Sequence, residues 1–413
     1  MKFIITIFLV ATCTLVYPQS STKFYIDPSK TYGGAASDYF DSIEYIPLET
    51  TKVSLFGTPT FLVVTDNSIV VGDADTYNIL FFELSGKFIK KEHLLRNMAF
   101  LVESDLHTNN IIVNLFPMGL SGDGEVRTYT STGRLIKTEK KYFEHANIKF
   151  VTSLDSGYYA QQEFKFIPLS KVLSNKPIPL VSIYNKSNDL IREFLTVNPG
   201  DYPFLFAFKG GVTMSPSADK RSAFFVIPYD YGLYRLTKDS VYKIGEFIFP
   251  AQNVVPMSIL GSHDIKKLDS TGRALTLSIE LIESVKNINY HGSKLLFTLQ
   301  KKLTIRPEAT EDLIYDPLNF LYDTLSGKAI VFEKIYPDSL SYNLPIMDGF
   351  SSIAGMNYRV GNVYSSISSL KLFQAKEKTK EKKSQYPLVL QKYFQTQDRK
   401  SNPVIVRMKL KDF

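Results

Sequence analysis

An all-β fold built from one recurring unit is predicted by three observations. Five times a hydrophobic strand runs into a short polar turn and out into another strand, at Ser85-Gly86-Lys87, Thr132-Gly133-Arg134, Asn185 to Asp189, Lys238-Asp239-Ser240 and Ser326-Gly327-Lys328. The turns recur at intervals of 47, 54, 52 and then 88 residues, measured from Gly86 through Gly133, Ser187 and Asp239 to Gly327. Isolated strands stand at both ends, away from any hairpin. The flanking residues are the β-branched and aromatic types that fit a pleated surface, and a fixed period of this length marks a repeat fold.

The first isolated strand is Ile43-Glu44-Tyr45-Ile46-Pro47-Leu48. The first full unit follows, with Phe61-Leu62-Val63-Val64, Ser68-Ile69-Val70-Val71, Ile79-Leu80-Phe81-Phe82 and Phe88-Ile89-Lys90. Four strands in about thirty residues are the content of one antiparallel propeller blade. The second unit holds Ile111-Ile112-Val113, Val126 to Tyr129 and Leu135-Ile136, and the third Gly157 to Ala160, Leu180 to Tyr184 and Leu190-Ile191. The fourth holds Ala223 to Ile227, Gly232 to Leu236 and Val241 to Ile244. The long interval before Gly327 implies an insertion over Pro250 to Leu281, in which the alternation Leu275, Leu277, Ile279, Leu281 offers one more strand. The fifth unit has Lys294 to Leu299, Phe320-Leu321-Tyr322 and Ala329 to Phe332.

Beyond Pro345, strand-like Ser351 to Ala354 and Tyr358 to Val363 precede a helix from Ile367 to about Lys383, with Ile367, Leu370 and Phe373 near one face. The last strand, Val404 to Leu410, has a period of two and starts after Asn402-Pro403. Five hairpin sets and this final set make six units of about 65 residues, above the usual 40 to 50 per blade. An open antiparallel array leaves unpaired edges, which ring closure removes. The expectation is therefore a six-bladed β-propeller closed by pairing the N- and C-terminal strands, with one C-terminal helix in the last blade. A β-sandwich or β-helix is the competing arrangement.

Residues 1–20 read as a secretory signal: Met1-Lys2 followed by Phe3 to Val10, then Ala11, Thr12 and small or polar residues to Ser20. The apolar run is too short for a membrane span, which needs about 20 apolar residues. Cleavage near Ser20 is expected; a rival reading makes Cys13 the lipid-bearing cysteine of a lipobox, against which stand Thr12 before it and the apolar Leu15-Val16-Tyr17 after it. Residues 21–37 form an N-terminal extension and 38–413 the propeller. Cys13 is the only cysteine, so a chain cut near Ser20 has neither disulfides nor thiol chemistry, and its stability rests on burial.

The net charge of +7 is unevenly placed: Lys371 to Phe413 carries twelve Lys and Arg against four Asp and Glu, +8, leaving −1 for residues 1–370. The mixture Lys376-Glu377-Lys378-Thr379-Lys380-Glu381-Lys382-Lys383 lacks the aromatic platforms of a nucleic-acid groove and reads as a solvated helix face. No nucleic-acid partner is expected.

The candidate chemistry is sparse. His93, His107, His145, His263 and His291 show no metal-ligand spacing. Asp73 and Asp75 are of the type that binds Ca²⁺, but the calcium-loop pattern fails at Tyr77 and Asn78 and a turn is favoured, so no cofactor is expected. Gly119 to Gly124 leads into a strand and not into a phosphate-binding helix. Ser217-Ala218-Asp219-Lys220 and Ser368-Ser369-Leu370-Lys371 match Ser-x-x-Lys without its partner motifs. The 25 Tyr and absence of Trp suit strands first and sugar-stacking pockets second.

Ile69-Val70-Val71-Gly72-Asp73, Asn78 to Phe82 and Ser85-Gly86-Lys87-Phe88-Ile89 resemble the NHL-type propeller repeat. With Ile43 to Thr50 near the start and Asn402 to Val406 near the end, residues from about 38 to 413 resemble the exported six-bladed β-propeller proteins of Bacteroidetes. That resemblance implies architecture and export; it supplies no catalytic set. The Asp-Ser/Thr-apolar pattern used for O-glycosylation in that phylum points to Ser42, Ser240, Ser270, Thr324 and Ser339. The functional expectation is a non-catalytic propeller that binds a protein or glycan on one face of the disc. The alternative is a propeller lactonase, lyase or glycan-active hydrolase with Asp, Glu or His around the central channel, for which Ca²⁺ is the candidate metal.

Overall fold

Strands and turns alternate through the whole chain as the repeat requires. A computed structural model describes residues 22–411 apart from 58, 96–97, 118–121, 144–150, 156, 163–166, 168, 174, 209–213, 277–280, 302–316 and 349–355. Six separate antiparallel sheets follow one another in sequence. Blade 1 is Phe61–Val64, Ser68–Asp73, Asn78–Glu83 and Phe88–His93. Blade 2 is Met98–Ser104, Ile111–Pro117, Gly122–Tyr129 and Leu135–Phe143. Blade 3 is Val151–Asp155, Tyr158–Gln162, Ile178–Asn185 and Leu190–Val197. Blade 4 is Met214–Pro216, Ser222–Val226, Gly232–Thr237 and Val241–Ile248. Blade 5 is Ile282–His291, Lys294–Lys301, Leu318–Asp323 and Ala329–Tyr336.

Blade 6 joins the two ends of the chain. Its first three strands, Asn357–Arg359, Asn362–Ile367 and Val404–Leu410, come from the C-terminal part, and its fourth is Phe40–Pro47. Val406 lies opposite Tyr45 and Ile405 opposite Ile46. The fold is thus a six-bladed β-propeller closed by its terminal strands. The Tyr45 side chain is buried, and its hydroxyl donates toward the carbonyls of Leu344 and Pro345, both at 3.0 Å.

The five sequence-identified turns all join the third strand of a blade to its fourth. Gly86 shows why the position is restrictive. Its φ is +87°, and a Cβ there would strike the Pro47 carbonyl of the closing strand. In an antiparallel blade the turns between strands one and two share a face with those between three and four. The longer connections occupy the opposite face, and they carry the helices Leu169–Val172, Pro203–Phe208, Met257–Leu260, Ile265–Thr276, Ser369–Lys378 and Leu388–Thr396.

Three expectations change. The last blade carries two helices, not one, because Pro387 begins a second helix whose Leu390 and Tyr393 bury against the same core as Leu372. In the insertion, Leu275 lies in the helix Ile265–Thr276, while Leu277 and Ile279 lie outside the described residues, as does Ser351 to Ala354. The extension is itself sheet. Thr22–Tyr25 adds a fifth, parallel strand to blade 4 and Tyr32–Ala35 does the same for blade 5. The cause is burial: Phe24 packs on Phe247 at 5.3 Å and edge-on to Tyr322 at 5.6 Å. Shielding one such ring contributes roughly 2–3 kcal/mol.

Adjacent blades pack through apolar clusters, with one exception among the described residues. Such clusters join blades 6 and 1, 1 and 2, 3 and 4, 4 and 5, and 5 and 6. Phe100 and Val102 turn toward blade 1, so strand alternation places Glu103 on the side facing blade 3. Its cross-strand register puts Asn114 and Thr128 on that side too. Blade 3 answers with Ser153, Gln161 and Ser182, opposite the face whose Ala160 and Ile183 pack on blade 4. This seam is polar, and its Ser182 hydroxyl is buried without a hydrogen-bond partner.

Candidate functional site

The first strands of blades 6 and 1, 1 and 2, 3 and 4, and 4 and 5 touch one another around the axis, so the turns after the first strands ring one mouth of the central channel. There a cavity of about 210 Å³ opens on the short-turn face. Its wall includes Asp66 from blade 1, Ser104 from blade 2, Ser215 and Lys220 from blade 4, Asn287 from blade 5 and Arg359 from blade 6. Two of these turns need left-handed backbone, at Asn109 with φ +57° and Lys220 with φ +58°, and so does Asn287, φ +52°, at a bulge within the strand Ile282–His291. Asn tolerates that region because its short side chain bonds locally.

The ring-closing seam is fixed by one charged cluster. Arg359 donates through Nε at 2.9 Å and through an Nη at 2.6 Å to Asp66 Oδ1, and to Asn109 Oδ1 at 2.7 Å. Asn109 Nδ2 donates in turn to Asp66 Oδ2 at 2.9 Å. Blades 6, 1 and 2 are thereby tied at the rim. The Arg359 hydrogen bonds hold the Asp66 carboxyl below the usual carboxylate range, with help from Asn109 and from the charges of Arg359 and Lys220. Lys220 makes no ion pair among the described residues.

Across the mouth, Asn287 donates to Thr298 Oγ1 at 3.2 Å and Asn289 to the Asn287 carbonyl at 3.1 Å. Neither amide oxygen accepts a hydrogen bond among the described residues. Tyr358 and His291 Nδ1 lie 3.2 Å apart beside them. Met214, Met356 and Val360 supply the apolar part of the wall.

Of the residues singled out in the sequence, Lys220 lines the cavity and His291 meets the lining Tyr358, while the others lie elsewhere. Asp73 is buried at a strand end, where it accepts from Asp75 N, Thr76 N, Gly57 N and Thr76 Oγ1; it organises a turn. His93 meets Asn78 at the surface, His107 sits in the inner turn of blade 2, His263 is exposed, and His145 lies outside the described residues. No group of three His, Cys, Asp or Glu among the described residues is placed to hold a metal. Ser368 caps the helix Ser369–Lys378, and Ser217 starts the turn that ends in Lys220. Of the two Ser-x-x-Lys matches, only Lys220 reaches the mouth. Ser42, Ser240, Ser270 and Ser339 are exposed and scattered over the surface, whereas Thr324 is partly buried and donates to the Ser293 carbonyl at 2.7 Å. The signal that would have found the mouth is the second turn of each unit, after the first strand, where Asp66-Asn67, Asn109-Asn110 and Asp219-Lys220 stand.

Fold and site define a six-bladed β-propeller with a polar funnel on its short-turn face. Residues 18–92 match the family model described as DUF5128, 6-bladed beta-propeller. The chain superposes on a putative exported protein from Bacteroides fragilis NCTC 9343 with a TM-score of 0.59 and 13% identity, covering 95% of this chain and 100% of that one. A member of the DUF4221 family from Bacteroides vulgatus ATCC 8482 gives 0.45 and 10%, covering 90% and 99%. Virginiamycin B lyase from Staphylococcus aureus gives 0.39 and 10%, covering 89% and 98%. The first of these likenesses shows the fold alone. No curated protein matches the chain. No helix among the described residues is long and apolar enough to cross a membrane.

Proposed function

We propose that this propeller is an exported, non-catalytic binding protein whose channel mouth takes a small polar group, the terminal sugar of a glycan. The carrying observation is the wall of the cavity: amides and hydroxyls surround it, and Asp66, the one carboxylate among the described lining residues, is already engaged by Arg359 and Asn109. A carboxylate held ionised by such partners is a poor general acid. Amide and hydroxyl groups with a few apolar side chains suit a sugar ring, which offers hydroxyls at its edge and C–H groups on its faces. Export rests on the apolar leader at residues 1–20, with Cys13 lipidation the less favoured form of anchoring.

The enzyme reading has one observation in its favour. Burial pushes the Glu103 carboxyl up to about 7, the range of a working acid or base. Glu103 is not among the residues that line the cavity.

The test is an array of oligosaccharides presented to the intact protein, followed by analysis of the bound material. Binding with recovery of unaltered saccharide is the expected result. Asn289→Ala with Asn357→Ala, both on the cavity wall, should weaken it by about tenfold, the worth of one or two hydrogen bonds. Cleaved or rearranged saccharide would replace this reading with the enzyme.

A further inference from the structure

Resting on the saccharide reading, we infer that the ligand is acidic: its carboxylate is received by Lys220 while its hydroxyls donate to Asn287 and Asn289. Three observations carry this. Lys220 lines the cavity and has no acidic partner within ion-pair distance among the described residues. Among the described residues the charges lining the cavity are Lys220 and Arg359 against Asp66, two cations to one anion, so a single negative charge neutralises them. One N–H of each of the Asn287 and Asn289 amides is given to a protein acceptor, and neither amide oxygen accepts a bond among the described residues, so both can take hydroxyl donors. A polyhydroxylated monoacid meets all three demands; a neutral sugar leaves the ammonium uncompensated.

The size agrees. At about 210 Å³ the cavity is smaller than the roughly 300 Å³ at which sites for drug-sized ligands begin, so it takes one ring and not a chain. An ammonium receives either anion as a point charge, and the tightest phosphate sites add the fork of an arginine or a nest of backbone amides. Arg359 is unavailable for that fork because its Nε and one Nη are already directed at Asp66 and Asn109. A phosphate dianion would also meet the ionised Asp66 on the same rim.

The backbone at Lys220 is left-handed, with φ +58°, and the turn is held by the Lys220 N–H donating to the Ser217 carbonyl at 3.0 Å. That conformation costs a residue with a Cβ about 1–2 kcal/mol. A glycine or asparagine would suit the turn better, so a lysine there is explained by its ammonium more readily than by its backbone.

The experiment compares methyl glucuronide with methyl glucoside, identical rings that differ only in carboxylate against hydroxymethyl, by calorimetry on the full chain. The acidic sugar should bind at least about tenfold more tightly at low salt, and the difference should shrink as salt screens the pair. Lys220→Gln should bring the ratio of acidic-sugar to neutral-sugar affinity to about one; Lys220→Asn, which favours the left-handed turn, gives the same comparison in a variant sure to keep the loop. Equal binding of the two sugars, or a preference untouched by either substitution, overturns the inference and leaves the saccharide reading standing. Tighter binding of inorganic phosphate than of glucuronide overturns the carboxylate assignment. Failure of every neutral and acidic saccharide on the array removes both readings together.

Discussion

Arg359 of the last blade grips Asp66 of the first with two hydrogen bonds, 2.9 and 2.6 Å long, across the seam where the ring closes. The arginine side chain is 9% exposed and the aspartate 45%, so the cation bears most of the burial. Removing Asp66 therefore harms the fold more than the exposure of its own carboxylate suggests.

Asp66→Asn is expected to lower stability by about 1–3 kcal/mol, since it leaves a buried guanidinium with weaker acceptors. The pH sign follows from the depressed carboxyl. Its stabilisation is complete above the unfolded value near 3.9 and is lost as pH falls through the lower folded value. Urea midpoints from pH 6 downward should fall more steeply in the wild type than in Asp66→Asn. Parallel curves would contradict this.

Tyr45 anchors the closing strand by its hydroxyl as well as by its ring. Tyr45→Phe retains the buried ring and strands the carbonyls of Leu344 and Pro345, so a loss of about 1–2 kcal/mol is expected in urea unfolding. A change below a few tenths would mean that water already serves those carbonyls.

Glu103 works in the opposite direction. Its carboxyl is raised from 4.5 to about 7 by burial alone. An acid whose folded value is raised loses stability as pH rises from its unfolded value through its folded one. Glu103→Gln should therefore leave stability unchanged at pH 4 and raise it at pH 8, by up to about 2 kcal/mol once the water reaching this partly exposed group is allowed for. An equal effect at both pH values would show that the carboxyl is not perturbed.

The glycosylation sites divide by access. Ser42, Ser240, Ser270 and Ser339 present exposed side chains, while the Thr324 hydroxyl is already bonded to Ser293. Intact-mass measurement of protein from its own host should show added glycan, with Thr324 the site least occupied. A mass equal to the bare mature chain would end the idea.

How much of this was legible in the sequence follows from the physics of each part. The outer hairpins could be read because glycine at Gly86, Gly133 and Gly327 and strong alternation around them are local signals. The closure was legible because Tyr45 and Ile405 sit in strands with no neighbour in sequence to pair with. The N-terminal strands were missed since Thr22–Tyr25 is short and acquires its meaning only from Phe247 and Tyr322, far along the chain. The mouth was missed for the same reason: Asp66, Lys220 and Arg359 are ordinary turn residues until the ring brings three blades together.

The account stands on closure of that ring, and a cross-link tests it most directly. Glu44 and Arg407 lie directly opposite each other in the closing pair and form an ion pair. Opposed residues of antiparallel strands are about 4.5–5.5 Å apart at Cα, within the range a disulfide spans. In a chain carrying Cys13→Ser, the pair Glu44→Cys and Arg407→Cys should oxidise to an intramolecular disulfide in the folded state and raise the urea midpoint. Free thiols or intermolecular dimers in a natively folded protein would contradict a ring joined through these strands.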